Sequence, residues 1–147
     1  LALEHMALIH GTHPALLRAV MDINRDQRRR VIHQLRQELG RLQDRQIGLL
    51  GLAFKANTDD LRDSPSLTIV DRVLASGAAV TAFDPAISAA HPLIPHQVQI
   101  VGSALTAATG ASCLAVLTEW DDFRWIPPAE VAAVMDGRTV VDGRDLL

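Results

Sequence analysis

The chain has 147 residues, of which 48% are hydrophobic, 21% charged and 3% aromatic, and its formal net charge is −3. That length suits one ordinary domain, or a domain with an appendage, and it buries a sizeable core without covalent staples. A single cysteine, Cys113, excludes a disulfide framework and a closed cysteine-rich zinc site. The acidic balance, with three Phe, two Trp and no Tyr, argues against a basic, ring-bearing face for nucleic acid.

No apolar run approaches the roughly 18 residues that a membrane span needs, and no membrane partner is expected. The opening Leu1-Ala2-Leu3-Glu4-His5 has neither an initiator Met nor the basic flank of a secretory signal. The expectation is a cytoplasmic protein whose natural start lies upstream of Leu1.

Residues 1–9 read as the tail of a helix. From Pro14 to Arg45 the apolar positions Leu16, Leu17, Val20, Ile23, Val31, Ile32, Leu35, Leu39 and Leu42 recur in steps of mostly three and four, the stripe of an amphipathic helix. Thr12 ahead of Pro14 suits its start. Its middle carries Arg25, Asp26, Arg28, Arg29 and Arg30. This run is either a solvated face or a seam whose guanidiniums meet carboxylates of another subunit or domain. A helix this long exceeds what a small domain covers alone.

After Arg45 the pattern changes, and the chain divides at 1–45 and 46–147. Short apolar runs at 46–51, 79–83, 98–101, 113–117 and 139–141 alternate with helical stretches at 66–76, 103–109 and 127–135. Such alternation predicts an α/β fold, a Rossmann-like parallel sheet with helices on both faces. Ser64-Pro65-Ser66 is a helix start with Ser64 as cap, and Gly77 closes that helix.

In such sheets ligands bind beyond the carboxyl ends of the strands. Gly48 and Gly51 give only G-x-x-G, and a dozen residues separate them from the next helix. A dinucleotide fingerprint requires G-x-G-x-x-G opening directly into a helix, so close packing or a tight turn is the better reading. Asp84 resembles a ribose-binding acid at a strand end, but Asp84-Pro85 is equally an ordinary turn.

The loop from Leu52 to Asp63 is unusually long for a strand-to-helix connection. It carries Lys55, the single Lys beside thirteen Arg in the whole chain, and Arg62. With Arg144 after the last strand, these cations can surround a diphosphate, and the helix start at Ser64–Ser66 adds favourable potential. Asp59, Asp60 and Asp63 leave a salt-bridged structural loop as the alternative. The six histidines lack carboxylates at ligand spacing, so no metal site is expected. Cys113, at the start of a buried strand, reads as a core residue rather than a nucleophile.

The stretch Leu50-Gly51-Leu52-Ala53-Phe54-Lys55-Ala56-Asn57-Thr58-Asp59-Asp60-Leu61-Arg62-Asp63-Ser64-Pro65-Ser66 resembles the signature of nucleotide-sugar dehydrogenases, best the UDP-glucose 6-dehydrogenase branch. Phe83-Asp84-Pro85, Leu117-Thr118-Glu119-Trp120-Asp121-Asp122-Phe123 and Val141-Asp142-Gly143-Arg144 match the same family in order and spacing. The helix with Asn24 and Gln27 is similar to the end of that family's central dimerisation region.

The resemblance covers essentially the whole chain. It implies a parent of three parts: an N-terminal NAD domain, a central helical region that makes a homodimer, and a C-terminal domain that binds the UDP-sugar. By resemblance Phe54, Lys55 and Arg144 contact the sugar nucleotide and Arg62 reaches the NAD. In this family a sugar alcohol is oxidised to a carboxylate by two hydride transfers to NAD, through a cysteine thiolate. The family's Gly-Gly-x-Cys-x-Pro-Lys-Asp stretch is absent from this sequence, so no catalytic residue is expected in it and the chain alone is expected to be inactive. Alternatives are a GDP-mannose or UDP-N-acetyl-hexosamine dehydrogenase. A more remote one is a receiver-like regulatory domain built on Asp59, Asp60, Asp84 and Thr118.

Overall fold

A computed structural model of the protein describes residues 6, 9–10, 14–88 and 91–147. The helix expected over residues 1–9 and the start at Thr12 fall mainly outside these residues. Helix α1 runs Ala15–Leu39. It closes at Gly40 rather than continuing to Arg45, because Leu42 turns back into the core and the Asp44 N–H donates to the Gly77 carbonyl at 2.9 Å. That bond steers the chain into the first strand.

The sheet has five strands: β1 (Gln46–Leu50), β2 (Ala79–Phe83), β3 (Val98–Ile100), β4 (Cys113–Val116) and β5 (Thr139–Asp142). All pairings are parallel, in the order β3-β2-β1-β4-β5. Between the strands lie α2 (Pro65–Ala75), α3 (Ala104–Ala108), α4 (Asp121–Arg124) and α5 (Pro128–Val134). The expected Rossmann-like architecture is therefore present, with α4 as a single extra turn after β4.

Strand alternation divides the core. Ile47 and Leu49 of β1, Cys113 and Ala115 of β4, and Val141 of β5 face α1 and α2. Leu50, Leu114 and Val116 face the opposite layer, with Ala107, Ala108 and Phe123. Gly48 lies on this second face, where an added Cβ would come within 2.5 Å of the Ala107 carbonyl oxygen. A side chain there would push α3 off the sheet.

Helix α1 is held by its second half only. Val31, Ile32 and Leu35 are buried in the first core layer, while Leu16, Val20 and Ile23 are exposed. Within the polar run, Arg25 pairs with Asp22 and Arg29 with Asp26, one helical turn apart and exposed. Pairs of this kind contribute little. Leu35→Ala is expected to lower the unfolding free energy by roughly 2–5 kcal/mol, because the site is fully enclosed. Leu93→Ala, at a half-exposed position, should cost less than about 0.5 kcal/mol. Urea unfolding of both variants checks this, and equal losses would contradict the packing of α1.

Candidate functional site

The order of the sheet reverses between β1 and β4, and this is where a doubly wound fold opens a crevice beyond its strand ends. Here the crevice is closed at its base. Gly51 adopts φ +90, and a Cβ on it would lie 2.5 Å from the Thr118 Cβ at the exit of β4. Only glycine combines that left-handed backbone with so close an approach.

The loop that follows is tied at its root by a buried carboxylate. Asp84, 2% exposed, accepts hydrogen bonds from the Leu52 and Ala53 N–H groups at 2.7 and 2.9 Å, and from the Trp120 indole at 3.3 Å, all on Oδ2. Its Oδ1 accepts from the Ala86 N–H. The carbonyls of the same two loop residues are satisfied as well. The Ser64 hydroxyl donates to Leu52 and the Thr118 hydroxyl to Ala53, while the Phe54 N–H donates to the Asp60 carbonyl. Ser64 also caps α2 by accepting from the Ser66 N–H. The amides that would cradle a dinucleotide phosphate in this fold thus serve Asp84. Both Asp84 oxygens accept hydrogen bonds and the residue is buried, which argues against a phosphoacceptor role in the receiver-like alternative.

Beyond this root the side chains of Phe54 and Lys55 emerge into a cavity of about 330 Å³. Arg144, at the exit of β5, lines the same cavity, as do Asn24, Gln27 and Arg28 of α1 and Pro65 at the start of α2. Phe54, Lys55 and Arg144 are therefore brought together, on the same side of the molecule. Lys55 has no hydrogen bond or ion pair among the described residues. Arg144 gives its Nε and Nη2 to one oxygen of Glu119, and both line an adjoining cleft of about 630 Å³. Arg144 forms part of both walls.

Arg62 lies outside this cavity. It forks onto Asp60 at 2.8 and 2.9 Å, with 83% of its side chain exposed. The Arg62 side chain, and then its backbone N–H, hold the Asp60 carboxyl down at about 2. The salt bridging that the sequence left as the alternative occurs at this pair, and Lys55 is not part of it.

Arg144 is set in place by Asp142, whose carboxylate accepts from the backbone N–H groups of Arg144, Leu146 and Leu147. Partial burial works to raise the Asp142 pKa, but the converging N–H groups outweigh it and the net direction is down. Cys113 is buried, and burial pushes its thiol up to about 11. It is a core residue with little thiolate character. Among the described residues no three His, Cys, Asp or Glu side chains converge as metal ligands. No described helix is long and apolar enough to cross a membrane.

Sequence reasoning gave no site role to Asp142, Glu119 or Arg28. The first two stand within motifs already singled out, but their partners come from backbone turns and from a neighbouring strand end, which spacing does not reveal.

The chain is thus a doubly wound α/β domain with a cation-lined cavity at its strand ends. Residues 48–147 match the UDP-glucose/GDP-mannose dehydrogenase family, UDP binding domain, and the chain belongs to that family. It is 35% identical over 131 residues to UDP-glucose 6-dehydrogenase YwqF of Bacillus subtilis, covering 88% of this chain and 30% of the relative. It is 32% identical over 146 residues to UDP-glucose 6-dehydrogenase TuaD of the same organism, covering 99% and 32%. Among solved structures, a UDP-glucose dehydrogenase from Pyrobaculum islandicum superposes with a TM-score of 0.86 at 29% identity, over 99% of this chain and 32% of that one. The chain spans about a third of the length of these relatives.

Two outcomes are expected from this geometry. Asp84→Ala strands three backbone N–H groups and an indole N–H, and should cost several kcal/mol, about 3–5. It should also speed amide exchange at Leu52 and Ala53, and unchanged exchange would contradict the clamp. Because the Asp142 pKa is depressed on folding, its stabilisation is complete above the ordinary carboxylate range near about 4 and is lost as pH falls through the lower folded value. The Arg144, Leu146 and Leu147 amide resonances should move together in that acid window, and Asp142→Asn should abolish the movement.

Proposed function

We propose that this chain is the UDP-sugar-binding, C-terminal third of an NAD-dependent UDP-glucose 6-dehydrogenase. The observation that carries the reading is the convergence of Phe54, Lys55 and Arg144 on one cavity whose lining holds no carboxylate. Lys55 supplies a mobile point charge and Arg144 a planar donor set for the diphosphate. Phe54, half exposed, offers a flat apolar surface to the nucleotide or sugar. The relatives' names and the 29–35% identities favour UDP-glucose over GDP-mannose or a UDP-N-acetyl-hexosamine.

NAD belongs to the same reading, but not to a turn of this chain. The residues here do not fit the dinucleotide: the Leu52 and Ala53 amides are already spent on Asp84. Arg62, exposed outside the cavity on the loop that also carries Lys55, is the residue that would reach NAD held by another domain. No hydride-transfer step is assigned to these residues. Cys113 is enclosed in the sheet with a raised pKa, so it is no substitute for the family's nucleophile.

Residues 1–45 are proposed as the end of a central helical dimerisation region, and 46–147 as the sugar-nucleotide domain. Leu16, Val20 and Ile23 support this, since they form an apolar stripe at steps of four and three that nothing in the described chain covers; Leu16 is 81% and Ile23 58% exposed. A second copy of the helix is its proposed cover. The single reduced, buried cysteine fits a cytoplasmic setting.

Calorimetric titration of the chain with UDP-glucose, GDP-mannose and UDP-N-acetylglucosamine tests the binding reading. UDP-glucose should bind most tightly, and Lys55→Ala should weaken it at least about tenfold. Mixed with UDP-glucose and NAD, the chain should form no NADH, and turnover would contradict the assignment of the chemistry to other residues. Ile23→Asp should shift the chain toward monomer in sedimentation experiments, and an unchanged oligomer would rule out this helix as the contact.

A further inference from the structure

The cavity that holds Lys55 and Arg144 has a third cation, from an element outside the sheet. Arg28 of α1 lines it together with Lys55 and Arg144. Its Nη1 donates to the Thr68 hydroxyl of α2 at 3.3 Å, and its Nε is buried with no acceptor. The neighbouring Arg25 and Arg29 behave differently, since each is exposed and paired with an aspartate one turn away. Arg28 has no carboxylate partner among the described residues.

An unpaired buried guanidinium N–H calls for an explanation, because each such group carries a desolvation cost. Three cations around one small space add mutual repulsion. Only Arg144 is compensated, by Glu119 at the edge of the adjoining cleft. Lys55 has no counter-charge, and Arg28 has only a neutral hydroxyl. Such an arrangement is unfavourable empty and favourable around a multiply charged anion.

We propose that Arg28 is a third diphosphate-binding residue of this site. It contributes from the long helix a charge that the strand-end loops do not supply, so that the ligand bridges α1 and the sheet. The inference rests on the reading of the cavity as a UDP-sugar site and adds a residue to it.

The test is titration of the full chain with UDP, and with uridine as a ligand lacking phosphate. The proteins compared are the wild type, Lys55→Ala, Arg28→Gln, Arg28→Lys and Thr68→Val, each checked for an unchanged fold by thermal melting. Arg28→Gln should weaken UDP binding at least about tenfold, leave uridine binding unchanged and reduce the salt dependence of UDP binding. Arg28→Lys should recover part of the loss, because the point charge remains. Thr68→Val, which removes the bond to α2 but keeps the cation, should stay within about twofold of the wild type.

If Lys55→Ala loses UDP binding and Arg28→Gln does not, the role of Arg28 is overturned while the site stands. If Thr68→Val loses as much as Arg28→Gln, Arg28 acts by packing and the inference fails. If the wild type binds no UDP, the reading of the cavity falls together with the inference.

Discussion

The geometry of the site depends on one buried carboxylate. Asp84 stands at the end of β2, yet its partners are the first amides after β1 and an indole beyond β4. It therefore joins the exits of three strands. In a dinucleotide-binding version of this fold those amides face a ligand phosphate. Here an internal carboxylate takes that position, the root of the loop becomes rigid, and the outer part of the loop is free to carry binding side chains. The bonds from Ser64 and Thr118 to the Leu52 and Ala53 carbonyls complete the same constraint from the other side.

Charge then decides what the rigid loop is for. Residues 55–63 carry two bases and three acids, and a chain of local salt bridges would be a sufficient account of them. The fold separates them instead. Asp60 and Arg62 satisfy each other outside the cavity, Arg144 is poised by Asp142 and paired with Glu119, and Lys55 enters the cavity without a partner. An ammonium without a carboxylate partner, in a cavity whose lining holds none, is suited to recognise an anion that arrives from outside. The single Lys among thirteen Arg thus occupies the position where a compact, mobile charge has the most use.

Much of this was legible in the residues. Ser64-Pro65 announced the start of α2, Gly77 its end, and the spacing of short apolar runs the parallel sheet. The meeting of Lys55 and Arg144 could be anticipated because strand-end loops converge in this architecture, and Phe54 followed from the resemblance; Arg62, expected beside them, instead forks onto Asp60 outside the cavity. Other features were hidden for physical reasons. Asp84-Pro85 reads the same whether the carboxylate turns outward to a ribose or inward to an amide. The apolar stripe of α1 is continuous, but only Val31, Ile32 and Leu35 find the sheet, and periodicity alone does not say where a helix loses contact with its core. Arg28 looked like one of five charges on a solvated face, and only the approach of α1 to α2 sets it apart from Arg25 and Arg29.

The central claim is that a diphosphate sits between the loop after β1 and the turn after β5. Amide chemical-shift mapping of the chain with UDP tests it most directly. The account predicts perturbations at Phe54, Lys55, Gly143 and Arg144 that saturate together, with Leu114, Val131 and Met135 on the opposite face of the sheet unmoved. Shifts confined to that opposite, apolar face, or saturation of the 54–55 and 143–144 amides at different ligand concentrations, would contradict it.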